Sequence, residues 1–124
     1  MRFLTASLNA TSLAAISLLG VTAQGRAGDL VPPKDIQATF FNGQAFTAST
    51  PANIQYTMTA TPDGKIVREP VGKSGVKGEG TWKLTKDGFC TAWKGSKSNC
   101  FRLITGDKKW SVMAGTTAVA FWTK

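Results

Sequence analysis

Residues 80–104 read GTWKLTKDGFCTAWKGSKSNCFRLI and carry both cysteines and two of the four tryptophans of a 124-residue chain that has no histidine. In GTWKLT, Trp82 and Leu84 fall on one face and Lys83 on the other, the period of two of a half-buried strand. Lys86-Asp87-Gly88 then turns the chain, and FCTAWKG and CFRLITG become partners across SKSN. That pairing brings Cys90 and Cys100 near facing positions. The spacing is too long for a C-x-x-C redox motif, and zinc would need two further ligands with no histidine to supply them. A disulfide that staples one strand to its neighbour is the expected arrangement, in a chain exported to an oxidising compartment.

The same texture continues upstream. QAFTAS reads as a first short strand, and NIQYTMTAT sets Ile54, Tyr56, Met58 and Ala60 against Gln55, Thr57 and Thr59. Pro62-Asp63-Gly64 is a tight turn, and KIVREPV returns until Pro70, which has no N–H to give a ladder, places it at an edge or ends it. GKSGVKGEG (72–80) is a flexible connection or a bulged strand. Its GKS resembles the tail of a phosphate loop, but Val67 stands where that motif needs its leading glycine, and no helix can follow. Downstream, GDKKW turns the chain and WSVMAG and TTAVAFWTK close the pattern.

Ahead of the strands, Pro32 and Pro33 interrupt the chain and Asp35 opens a short amphipathic helix that buries Ile36 and Phe40, four residues apart, and stops at Asn42-Gly43, with a strand as the competing reading. The fold class is therefore all-β: an antiparallel meander of about seven strands closing into a small barrel, with a sandwich as the alternative. The short N-terminal helix is placed to plug one end. An outer-membrane barrel is disfavoured, since lysine or arginine recurs in the strands where a lipid face must be apolar.

The succession ATPDGKI, GEGTW, DGFCTAW, NCFRLI and a closing tryptophan strand, together with the helix-like opening, resembles small exported bacterial proteins of unknown function that hold a single disulfide in a lipocalin-like β-barrel. The resemblance covers most of residues 35–124. It implies fold and location, and it carries no activity with it.

At the N-terminus, Arg2, an apolar stretch from Leu13 to Val21 and small residues at Ala23, Gly25 and Ala27 have the layout of a secretory signal peptide. Residues 1–27 are read as that signal and 28–124 as a single domain, with cleavage after Ala27 and Ala23 or Gly25 as neighbouring alternatives. The apolar run is shorter than the ~20 residues a membrane span needs. The expected location is periplasmic or secreted.

The expected mature segment keeps 13 of the 15 lysines and arginines (all but Arg2 and Arg26) against 7 aspartates and glutamates, a formal +6. Such a surface favours anionic partners and also suits plain solubility. Export argues against nucleic acid. Without histidine, a Ser-His-Asp triad, a Cys-His pair and most zinc hydrolase sites are excluded. Asp63, Asp87 and Asp107 belong to glycine turns, and Glu69 and Glu79 read as solvated carboxylates. The chain is expected to be no enzyme, with neither cofactor nor metal.

Trp82, Trp93, Trp110 and Trp122 fall on successive strands. They form either the core or the lining of a cavity for a small apolar ligand, and a volume of ~300 Å³ or more would mark the second. The functional expectation is an exported, monomeric barrel that binds such a ligand inside or an anionic envelope polymer or lipid outside. The alternative is an inhibitor or interaction partner of an envelope hydrolase, presenting a loop such as KGSKSN.

Overall fold

In a computed structural model of the chain, residues 27–124 are described. The signal-peptide reading, with its cleavage alternatives at Ala23 and Gly25, lies almost wholly outside them. One helix, α1 (Pro33–Phe40), precedes eight strands: β1 (Ala45–Ser49), β2 (Gln55–Thr61), β3 (Lys65–Pro70), β4 (Gly78–Leu84), β5 (Phe89–Trp93), β6 (Ser98–Thr105), β7 (Trp110–Ala114) and β8 (Thr117–Thr123). They pair in sequence order as an antiparallel meander, and β8 closes on β1 through Thr47–Thr123, Ala48–Trp122 and Ser49–Phe121. The sheet is therefore a closed barrel and not a sandwich. Eight strands form, close to the about seven expected, and the last two, WSVMAG and TTAVAFWTK, are turned at Gly115. Pro70 ends β3 opposite Tyr56 and needs no edge, since closure leaves none.

The helix closes one end. Pro33 suits the first turn, where an N–H has no helical acceptor, and Ile36 and Phe40 are wholly buried. Asn42 stops the helix: its Nδ2 donates to the Ala38 carbonyl at 2.8 Å while its Oδ1 accepts the Gln44 N–H at 2.9 Å. Phe40 meets the rings of Phe46, Trp110 and Trp122, and Phe41 meets Trp82, Phe89 and Trp122. These partners stand on β1, β4, β5, β7 and β8, so the two phenylalanines reach across the lumen. Lys124 Nζ donates to the Thr39 carbonyl at 2.6 Å, which ties the end of β8 to the plug.

Cys90 and Cys100 are joined, directly opposite each other on β5 and β6. Alternation puts them on the outer wall, because Phe89 lies in the core and Thr91 also faces inward. Beyond Phe101, β6 outruns β5, and the segment at residues 28–31 covers the exposed ladder: Val31 N–H donates to Leu103 and Thr105 N–H to Asp29, each at 2.8 Å. The prolines that follow hide this bridge in the sequence. At the β4–β5 turn, a Cβ on Gly88 would stand 2.0 Å from the Phe101 carbonyl oxygen, so only glycine lets the turn lie against β6.

The turn after β2 is held by Asp63, whose carboxylate accepts the Thr61 hydroxyl and the Lys65 N–H. The Thr61 hydrogen bond, ahead of the Lys65 contacts, holds the Asp63 carboxyl below its ordinary value of 3.8. A depressed folded value stabilises the fold above the unfolded pKa, and that contribution is lost as pH falls through the folded one. In an NMR pH titration Asp63 is expected to titrate below its ordinary value, and Thr61→Val should move it back up; an unmoved midpoint in the variant would remove the hydroxyl as the cause.

Candidate functional site

Because β1 starts beside the helix and ends at Ser49, the connections at 50–54, 71–77, 94–97 and 115–116 gather at the opposite, open end. The turns at 62–64, 85–88 and 106–109 stay with the plug. Inward-facing side chains alternate along each strand, so Tyr56 and Met58 of β2, Ile66 and Arg68 of β3, Thr91 and Trp93 of β5 and Phe101 of β6 converge in the lumen at the open end. They line an apolar chamber of about 200 Å³, smaller than the ~300 Å³ expected of a ligand cavity, with Trp122 as its floor. Trp122 is shared: it also meets the plug rings of Phe40 and Phe41 and the ring of Phe46 on β1.

The chamber contains one charge. Arg68 lies with its guanidinium carbon 4.4 Å from the centre of the Trp93 ring and 5.4 Å from that of Tyr56, a cation–π sandwich. Its Nε is buried and, alone among the buried side-chain nitrogens and oxygens of the described residues, meets no hydrogen-bond partner. Gly78 stands directly across from Arg68 on β4, and a Cβ there would come within 2.7 Å of that nitrogen. Thr91, the one buried polar residue among those described, also faces the chamber.

The four tryptophans divide into two pairs. Trp93 and Trp122 line the chamber. Trp82 packs on Phe41 with its indole N–H bonded to the Thr61 carbonyl at 2.9 Å, and Trp110 packs edge-on against Phe40; both belong to the plug. Arg68 was not singled out in the sequence, although its signal is there: in KIVREPV it shares the parity of Ile66, a cation on a face that is otherwise dry.

A second recess of about 820 Å³ opens beside the plug, between Asp29–Pro32, the helix and the turn at Gly106–Lys109. It is larger, but its walls are mostly polar and mix Asp29, Asp35 and Asp107 with Lys108, Lys109 and Lys124. The smaller chamber is the better site, since its walls are apolar on most sides and its polar groups converge. Glu69 and Glu79 are exposed on the outer wall, away from both. Among the described residues no group of three or more histidines, cysteines, aspartates or glutamates stands together, and no helix is long and apolar enough to cross a membrane. Comparison with known proteins finds no matching family model, curated protein or solved structure.

Proposed function

We propose that the protein is a non-enzymatic, lipocalin-like binding protein that holds a small molecule with an apolar body inside the open end of its barrel. The observation that carries this reading is the chamber itself: about 200 Å³ of lumen, walled by Met58, Trp93 and Phe101, left open at the end that the helix does not plug. An apolar cavity of ~150 Å³ accepts benzene, so this one suits a single ring or a short acyl chain and not a drug-sized ligand. Export is part of the reading and rests on the signal-like N-terminus together with the disulfide, a bond that persists outside reducing compartments.

Benzene at millimolar concentration is expected to shift the NMR resonances of the Met58 methyl and the Trp93 indole while leaving Lys108 and Lys109 unchanged. Ala48→Leu, which extends a side chain into the chamber wall, should weaken that binding about tenfold or more, of the order expected for a filled apolar pocket. Shifts confined to the plug-end recess, or none at all, would overturn the proposal.

A further inference from the structure

Resting on that reading, we infer that the bound molecule carries a carboxylate, which pairs with Arg68 while its apolar body occupies the chamber. A cation on the inner wall of a small apolar lumen is otherwise out of place. Desolvating it is unfavourable, stacking between Trp93 and Tyr56 offsets this only in part, and a buried N–H without an acceptor adds to the penalty. Methionine or leucine would fill the position with less strain on the hydrogen-bond inventory. Residues that break local rules in this way are the ones expected to serve a ligand. A carboxylate fits what is missing: it presents two acceptor oxygens to the planar donor edge of a guanidinium, in the bidentate geometry that favours arginine over lysine. The Thr91 hydroxyl, on the same chamber and the most buried of its polar side chains, would help to orient it.

The distribution of charge around the mouth points the same way and is independent of Arg68. The four connections at the open end carry Lys73, Lys77, Lys94 and Lys97 and no acidic residue. All five aspartates, Asp29, Asp35, Asp63, Asp87 and Asp107, lie at the plugged end; Glu69 and Glu79 are the acidic residues nearest the mouth, on the outer wall. A rim of one sign above a low-dielectric lumen raises the local concentration of oppositely charged solutes and speeds their entry.

The test compares probes of like shape and different charge on the full domain: benzoate against benzyl alcohol, and hexanoate against hexanol, by NMR titration of chamber resonances. In the wild type the carboxylates are expected to bind at least tenfold more tightly than the alcohols. Arg68→Met should abolish the preference while leaving the unfolding midpoint equal or higher, and Arg68→Lys should restore part of it. Equal binding of acid and alcohol would overturn the carboxylate assignment and leave the chamber reading intact. A preference retained in Arg68→Met would assign it to the rim lysines and overturn the role of Arg68. Absence of binding by every probe, charged or neutral, would overturn both readings. A lowered midpoint in Arg68→Met with no carboxylate preference in the wild type would mark the arginine as structural.

Discussion

Replacing Trp122 with alanine is expected to lower the free energy of unfolding by about 3–5 kcal/mol, the range for removing a large aromatic from a packed core. Trp122 is only 4% exposed and its ring centre lies 4.8–5.2 Å from those of Phe46, Phe40 and Phe89, with Phe41 at 5.9 Å. It meets both Phe40 and Phe41 and is thus a principal side chain joining the helix to the barrel wall. Losing it removes the dispersion contacts of four rings at once and opens a void that β-strands locked by closure cannot collapse to fill. The second consequence is functional: with the floor gone, the chamber runs on into the plug, and a ligand longer than benzyl alcohol should gain relative to it. Urea unfolding of Trp122→Ala beside Trp122→Phe provides the check. A loss below about 1 kcal/mol in the alanine variant, within the range of ordinary surface changes, would mean that the plug is held elsewhere.

Removing the disulfide by Cys90→Ala together with Cys100→Ala is expected to destabilise the domain by about 2.5–3 kcal/mol, from the unfolded-chain entropy of a loop of roughly eleven residues. A domain of this size buries a modest share of its surface, so that loss is a large part of its stability. Its position makes a further effect specific. The bond sits on the outer wall between Phe89 and Thr91, immediately behind the strands that carry Thr91, Trp93 and Phe101 into the chamber. Freed from it, β5 and β6 are held by their ladder and the turn at 94–97 alone, and ligand affinity should fall along with stability. Denaturant melts of the oxidised protein, the reduced protein and the double variant, read alongside benzene binding, measure both. Equal midpoints in all three would show that the barrel has no need of the staple.

Much of the architecture is legible in local pattern. The alternation through NIQYTMTAT and GTWKLT, the glycine and proline turns, and the facing cysteines define strands and their order, because an antiparallel meander needs only neighbour-to-neighbour pairing. The helix is legible from Asp35 and the four-residue spacing of Ile36 and Phe40, but it starts two residues earlier, at Pro33, which reads in the sequence as an interruption and in fact fills the first helical position. The pairing of residues 28–31 with β6 is not, since two prolines follow and the partner lies some 70 residues away.

What the chain determined by itself, then, is the set of strands, their alternating faces and the cysteine pairing, all fixed by interactions between residues close in sequence or on adjacent hairpin arms. Only the closed barrel decided which tryptophans became plug and which became chamber wall, since parity gives the face of a side chain but not its height along the lumen. The tertiary structure also turned Arg68 from one polar letter in KIVREPV into a half-buried cation whose Nε has no acceptor, because the groups around it come from β2, β4 and β5 and not from its own strand.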